Sequence, residues 1–133
     1  MINLITGKKG TGKTKILIDK ITEVTNTATG DVVCIERGMK LTYDIPHKVR
    51  LVDAEEYGIN SFDAFYGFVS GMLACNYDIQ AIFVDGILKI GGRDYEAFGK
   101  MLEKLAMVAK DVKIVFTVSE DDENLSQNVK AFM

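Results

Sequence analysis

The residues that could do chemistry begin with a glycine-rich segment near the start of the chain. Residues 7–14 read Gly-Lys-Lys-Gly-Thr-Gly-Lys-Thr, which fits the G-x-x-x-x-G-K-[ST] pattern of a phosphate-binding loop. Glycines let the backbone curl so that its N–H groups point at phosphate oxygens, and the helix that follows contributes the positive end of its dipole. The lysine can reach the β- and γ-phosphates, and the final hydroxyl can ligate Mg²⁺. The predicted nucleotide-binding residues are Gly7, Lys8, Lys9, Gly10, Thr11, Gly12, Lys13 and Thr14.

An aspartate at the end of an apolar run is the second predicted part of this site. Residues 81–84 read Ala-Ile-Phe-Val, an unbroken apolar run typical of a buried parallel strand, and Asp85 follows it. Mg²⁺ prefers oxygen ligands and commonly takes only one or two contacts from the protein. We therefore predict that Asp85 assists a metal ion beside Thr14, as in the Walker B pattern. The alternative is an exposed turn residue before Gly86.

Hydrolysis of a nucleotide also needs a group that orients or activates water. Many P-loop ATPases place a glutamate directly after the Walker B aspartate, where this chain has Gly86. RecA- and rotary-ATPase-like proteins place it at the end of the strand after the P-loop helix, and Glu36, which follows the apolar run 32–35, resembles that version. We predict that Glu36 activates water; the alternative is a solvated charge at a strand end. The predicted catalytic residues are Lys13, Glu36 and Asp85.

Five further polar side chains are candidates for contact with the terminal phosphate. Thr117 or Ser119, at the end of the last apolar run, could sense the γ-phosphate, or could satisfy backbone groups at a strand end. The arginines are candidates for an arginine finger that reaches a neighbouring subunit, with an ordinary surface charge as the alternative. These arginines are Arg37, Arg50 and Arg93.

The elements that must position these residues alternate between strand and helix patterns. This alternation predicts an α/β fold with a mainly parallel sheet, doubly wound by helices. The predicted strands are 2–6, 32–35, 48–53 (possible as an edge strand), 81–85 and 112–118. The predicted helices are one from about 12 to 26, two that are capped by Ser61 and Asp94, and a short final helix capped by Ser126. We expect a glycine-rich turn at 91–92 and a solvated acidic loop at 120–123.

The composition is ordinary for a globular protein and excludes several classes of function. With 133 residues, 47% of them apolar, we expect one domain over residues 1–133. A formal net charge of −3 argues against a general nucleic-acid surface. No apolar run suits a membrane span, and a charged loop interrupts the N-terminus where a signal peptide would lie, so we expect a cytoplasmic protein. Cys34 and Cys75 have no metal-ligand spacing and are predicted to be reduced core residues.

The nucleotide is expected to be ATP rather than GTP. A guanine-specific GTPase carries an Asn/Thr-Lys-x-Asp element after a late strand, and residues 117–121, Thr-Val-Ser-Glu-Asp, lack its lysine. Residues 85–88, Asp-Gly-Ile-Leu, also lack the Asp-x-x-Gly switch. The predicted cofactors are therefore ATP and Mg²⁺.

With these residues in view, the chain resembles a group of small clostridial P-loop proteins of the Firmicutes, described as ATP-binding proteins or twitching-motility PilT-like ATPases. The resemblance covers residues 7–14, 32–38, 51–57, 82–85 and 113–119. It implies a three-layer α/β/α P-loop NTPase fold with RecA-like strand order, in which the last strand lies between the P-loop strand and the Walker B strand. It also implies ATP binding through Gly10, Gly12, Lys13 and Thr14. The histidine- and aspartate-rich boxes of pilus-retraction motors are absent.

Three functions follow from these patterns. The main expectation is a small ATP-binding protein with Mg²⁺-dependent ATPase activity. One alternative is a nucleotide-responsive switch that recruits a partner, with residues 38–47 and 91–92 as moving parts. The other is a small-molecule or nucleoside kinase. We expect no nucleic-acid or membrane partner, whereas a homo-oligomer and an unidentified protein partner stay open.

Overall fold

The computed structural model describes residues 1–133 and consists of one parallel sheet with helices on both faces. The five strands are β1 (Ile2–Thr6), β2 (Asp31–Glu36), β3 (Arg50–Asp53), β4 (Ile79–Asp85) and β5 (Lys113–Val118). The helices are α1 (Lys13–Thr27), α2 (Phe62–Cys75), α3 (Ile87–Gly91), α4 (Tyr95–Ala109) and α5 (Gln127–Lys130), with a 3₁₀ turn at Asp122–Asn124. None of these helices has the length and apolar character needed to cross a bilayer. The α/β class and the parallel sheet are as predicted.

The strand order brings distant parts of the chain together. The sheet has the order β1-β5-β4-β2-β3, and each neighbouring pair is parallel. β5 therefore lies between β1 and β4, the position expected for the last strand, and β3 is an edge strand. β2 and β5 are buried along nearly their whole length, which agrees with their unbroken apolar runs. Because all five strands are parallel, their carboxyl ends meet at one edge of the sheet.

Two apolar clusters hold the helices against the two faces of the sheet. On one face, Leu17 and Ile21 of α1 pack with the strand residues Cys34 and Phe83. On the other face, α2 and α4 cover a larger cluster that includes Phe116 of β5. Successive residues of a strand point to opposite faces, so the buried strands supply side chains to both clusters. The α1 face carries the even-numbered positions of β2 and therefore also its last residue, Glu36.

Helix caps explain where two of the helices begin. Ser61 accepts a hydrogen bond from the N–H of Ala64 at 3.0 Å, and Asp94 accepts one from the N–H of Ala97 at 3.1 Å. Both caps satisfy backbone donors that have no partner inside the helix, and both were predicted. Ser126 lies at the start of α5 but makes no side-chain cap, so the predicted cap was wrong; its hydroxyl donates to the carbonyl oxygen of Tyr95.

Two local predictions were wrong. Residues 91–92 do not form a glycine-rich turn by themselves, since Ile87–Gly91 is the helix α3 and only Gly92, at a φ of 94°, lies beyond it. Cys34 is buried as predicted, but Cys75 is exposed at the end of α2 rather than part of the core.

Candidate functional site

The glycine-rich loop joins β1 to α1 and turns at its glycines. Gly7, Gly10 and Gly12 have φ values of 138°, 85° and 86°, a region that glycine adopts without the steric cost of a Cβ. Gly12 occupies the capping position of α1 and offers no side chain to its first N–H groups. The amino end of α1 therefore presents unpaired N–H groups and the positive end of its dipole to the loop.

Lys13, the first residue of α1, lies inside this loop. Its side chain is buried, with the residue only 7% exposed. Its Nζ donates to the carbonyl oxygen of Lys8 at 2.7 Å and to Oγ1 of Thr11 at 3.4 Å. Burial lowers the pKa of Lys13, and the nearby negative charge of Asp85 acts in the opposite direction. The loop thus encloses a cation at the point where we predicted contact with phosphate.

Thr14 and Asp85, predicted to share a metal ion, are in direct contact. Oγ1 of Thr14 donates to Oδ1 of Asp85 at 3.2 Å and lies 3.4 Å from Oδ2. From β5, Oγ1 of Thr117 donates to Oδ1 of Asp85 at 2.8 Å and accepts from the N–H of Gly86 at 2.7 Å. Thr117 is only 2% exposed, so it fixes the orientation of the Asp85 carboxylate. Its hydroxyl satisfies the backbone N–H of Gly86, as expected for a strand-end residue, and contact of Thr117 or Ser119 with a γ-phosphate stays a prediction.

The donor set formed by Thr14 and Asp85 fits Mg²⁺. Both supply oxygen, which this cation prefers, and Mg²⁺ needs few protein ligands when phosphate oxygens and waters complete its octahedron. The chain contains no cluster of three or more His, Cys, Asp or Glu side chains that could enclose a metal ion by itself. A metal ion held by these two side chains would need further oxygen ligands from water or from a bound molecule.

Glu36 lies next to Asp85 because β2 and β4 pair with these two residues in register. Glu36 is only 3% exposed, and its Oε2 accepts the N–H of Leu41 at 2.8 Å. Burial raises the pKa of the Glu36 carboxyl, the Leu41 hydrogen bond opposes this, and the charge of Asp85 raises it further. The alternative of a solvated strand-end charge is therefore wrong.

A polar cleft of about 630 Å³ opens between the loop and the carboxyl ends of β4 and β5. We call it the phosphate cleft. Among its 13 lining residues, only one, Leu88, is hydrophobic. The cationic side chains that line it are Lys9, Lys13, Arg37, Lys89 and Arg93. Asp85 is the only carboxylate among the lining residues, so the cleft has the electrostatic character of a polyanion site.

The predicted loop residues divide into two groups. Lys9, Gly10, Gly12, Lys13 and Thr14 line the phosphate cleft. The other three stabilise the loop itself and do not line the cleft: Gly7, Lys8 and Thr11. Oγ1 of Thr11, for example, donates to the carbonyl oxygen of Lys8 at 2.7 Å. Glu36 does not line the cleft either, since its carboxylate is held by Leu41.

Two of the three candidate arginines lie at the phosphate cleft of their own chain. Nη1 of Arg37 donates to the carbonyl oxygen of Lys89 at 3.4 Å. Nη1 of Arg93 donates to the hydroxyl of Tyr95 at 3.0 Å. Arg50 begins the edge strand β3 and does not line the cleft. A role toward a neighbouring subunit stays a prediction for all three arginines.

The acidic segment 120–123 is attached to the loop rather than fully solvated. The Thr6 hydroxyl donates to the Asp122 carboxylate, and the N–H of Gly7 donates to the carbonyl oxygen of Glu120 at 2.9 Å. Nζ of Lys8 lies 3.3 Å from the Asp121 carboxylate. These contacts tether the start of the loop to the end of β5. The first two residues of the segment are half-buried and the last two are exposed, so the prediction of a solvated loop is confirmed in part.

Glu120 has the most perturbed carboxyl group of this segment. Its carboxylate accepts the hydroxyl of Tyr95 at 2.6 Å and the side-chain amide of Asn124 at 3.1 Å. The Tyr95 hydrogen bond, with further bonds from Asn124 and the N–H of Asp121, lowers the pKa of Glu120 to about 2. Arg93 lies 3.6 Å from the same carboxylate. Glu120 therefore stays ionised and helps to place Arg93 at the phosphate cleft.

Lys89 is the one cleft cation that the sequence analysis did not single out. It lies on α3, and its aliphatic stem passes over Gly86, where an added Cβ would lie 3.3 Å from Cδ of Lys89. Because α3 was not predicted, there was no element on which to place Lys89.

No protein-family model matches the sequence, and no curated protein matches it. The functional assignment therefore depends on the geometry described above.

Proposed function

We propose that this protein is a RecA-like P-loop NTPase that binds ATP with Mg²⁺ and hydrolyses the ATP. The observation that carries the proposal is the contact between Thr14 and Asp85, which lie 71 residues apart in the sequence. It joins the hydroxyl at the end of the loop to the carboxylate at the end of β4. The position of β5 between β1 and β4 supports the RecA-like type.

Binding of the triphosphate would use charges and dipoles that are already in position. The N–H groups of the loop, the amino end of α1 and the Lys13 ammonium would hold the β- and γ-phosphates. Thr14 and Asp85 would hold Mg²⁺, which when bound neutralises phosphate charge and orients the terminal phosphate. Arg37 and Arg93 line the same cleft and would offset negative charge on that phosphate.

Glu36 is the proposed base. Its pKa is raised by burial, and a base whose pKa lies nearer to neutrality accepts a proton from water more readily. In the proposed reaction, water attacks the γ-phosphorus, its proton passes to Glu36, and ADP leaves with the electrons of the broken bond. To reach the cleft, the Glu36 carboxylate must first break its hydrogen bond with the N–H of Leu41. Because this step precedes proton transfer, we expect slow turnover.

The release of phosphate from ATP, measured against the concentration of Mg²⁺, tests the proposal. We expect Asp85→Asn to lower the rate at least about tenfold and to require more Mg²⁺, since it removes a charged ligand. Asp19→Asn is the matched control, because Asp19 is exposed on α1 and does not line the cleft. Absence of Mg²⁺-dependent turnover in the unaltered chain, or equal rates for the two variants, would contradict the proposal.

A further inference from the structure

A second, smaller cleft adjoins the phosphate cleft. Its volume is about 330 Å³, and it lies between the loops that follow β2 and β3 and the helix α3. Three of its ten lining residues also line the phosphate cleft: Arg37, Leu88 and Lys89. The two clefts therefore share a wall at their common end, and a ligand in one would lie close to a ligand in the other.

The shared wall is cationic and has unused hydrogen-bonding capacity. The Lys89 ammonium makes no ion pair or hydrogen bond within the chain, and only the backbone carbonyl of Lys89 contacts Arg37. Arg37 uses Nη1 for that carbonyl, and its Nε lies 3.8 Å from the Glu55 carboxylate, a long contact. A guanidinium carries five N–H donors, so most of those of Arg37 are available to a ligand.

The second cleft is also lined by polar groups that are acidic or uncharged. Glu55 and Asn60 line it, and the Asn60 amide makes no hydrogen bond within the chain. Gly58 and Gly92 have φ values of 69° and 94°, which glycine adopts readily, and no side chain fills the volume beside them. The cleft thus offers two cations, the Glu55 carboxylate 3.8 Å from one of them, Arg37, and the amide of Asn60.

We propose that the second cleft binds a small anionic molecule that carries a phosphate or a carboxylate group. The anionic group would contact Arg37 and Lys89, because planar guanidinium and ammonium groups form strong charge-assisted hydrogen bonds with such oxygens. A hydroxyl or amine on the same molecule would face Glu55 and Asn60. Only three of the ten lining residues are hydrophobic, which favours a polar ligand.

The location of this ligand next to the terminal phosphate of ATP rests on the proposed function, whereas its binding does not. Because Arg37 and Lys89 line both clefts, the ligand and the nucleotide would compete for the same cations or share them. Each ligand would then change the affinity of the other by the same factor, as linkage requires.

Chemical-shift mapping of the backbone amides tests the proposal. Inorganic phosphate and malonate are titrated separately into the ¹⁵N-labelled chain, saturated with Mg²⁺ and a non-hydrolysable ATP analogue. We expect saturable shifts at Gly58, Asn60, Gly91 and Gly92, and the tighter of the two anions identifies the preferred group. Both Arg37→Ala and Lys89→Ala should weaken this binding about tenfold or more, as expected when one charge-assisted hydrogen bond is lost.

Arg50→Ala is the matched control for charge, because Arg50 is exposed on β3 and lines neither cleft. It should bind as the unaltered chain does. The same titration of Lys13→Ala without nucleotide separates this proposal from the proposed function, and shifts at the four residues are expected there too. If neither anion shifts these amides in either titration, with nucleotide or without it, or if Arg37→Ala and Arg50→Ala bind equally, the second cleft is not an anion site.

Discussion

Glu36 and Asp85 are register partners on the adjacent parallel strands β2 and β4, so two carboxyl groups end neighbouring strands on one face of the sheet. Asp53 extends the row, since it pairs with Glu36 across β2 and β3. The three carboxylates have different hydrogen-bond partners. Asp85 contacts Thr14, Asp53 accepts the N–H of Gly38 at 2.7 Å, and Glu36 accepts that of Leu41. The neighbours of each carboxylate therefore decide which one could act as a base.

The first prediction concerns turnover by Glu36→Gln. Loss of a general base lowers rates by about 10²- to 10⁴-fold, whereas a residue outside the phosphate cleft contributes little to binding. We expect hydrolysis of ATP to fall by at least about a hundredfold, with the affinity for ATP nearly unchanged. Phosphate release and calorimetry measure the two quantities.

Glu23→Gln is the control for this variant, because Glu23 is exposed on α1 and remote from the cleft. It should hydrolyse ATP at the unaltered rate. If Glu36→Gln does so too, Glu36 is not the base.

The second prediction concerns the pH dependence of stability. The pKa of Glu36 is raised in the folded chain, chiefly by burial, so the folded state holds this proton more tightly than the unfolded state. Stability from this group is present below the ordinary glutamate pKa and is lost as the pH rises through the folded value. Glu36→Gln cannot ionise and should escape this loss.

Urea unfolding of Glu36→Gln and of the unaltered chain, repeated from acidic to neutral pH, measures the difference. We expect the free energy of unfolding of the variant, minus that of the unaltered chain, to increase as the pH rises. A difference that is independent of pH, or that falls as the pH rises, would show that burial does not perturb Glu36.

Much of this site could be predicted from the sequence because its signals are local. The spacing of residues 7–14 is a pattern within eight positions, and the apolar run before Asp85 marks a buried strand on its own. The caps at Ser61 and Asp94 were also found, since a capping side chain bonds to an N–H only three residues away.

The remainder could not be predicted because it depends on contacts between distant segments. The Glu36 carboxylate accepts a hydrogen bond from the N–H of Leu41, which lies in a segment without a helix or strand pattern. No sequence pattern therefore indicates that Glu36 is buried. The helix α3 spans only Ile87–Gly91, which is too short to show a helical repeat of apolar residues. The residue before it, Gly86, is in the left-handed region and has no side chain that could mark the start of a helix. Because α3 was not predicted, the position of Lys89 at the cleft could not be predicted either.

The third prediction concerns Thr117→Val, which keeps the shape of the side chain but removes its hydroxyl. Asp85 would lose a hydrogen bond, and the N–H of Gly86 would lose its acceptor. An unpaired buried polar group costs about 1–3 kcal/mol, so we expect the free energy of unfolding to fall by that amount. More Mg²⁺ should also be needed for half-maximal ATP binding, because the Asp85 carboxylate would no longer be fixed.

Thr22→Val is the matched control, since the Thr22 hydroxyl is exposed and bonds only to the carbonyl oxygen of Ile18 in its own helix. Its stability should change by less than about 0.5 kcal/mol. Equal effects of the two valine substitutions on stability and on the Mg²⁺ requirement would mean that Thr117 does not position Asp85.

The central claim is that the loop holds a triphosphate through Lys13, and calorimetric titration with ATP and Mg²⁺ tests it most directly. Lys13→Ala is compared with Lys15→Ala, which removes the same charge from an exposed position on α1. We predict that the unaltered chain and Lys15→Ala bind ATP with similar affinity, and that Lys13→Ala binds about tenfold to a hundredfold more weakly, the loss expected for a charged hydrogen bond. No binding by the unaltered chain, or equal affinities for the two variants, would contradict the claim.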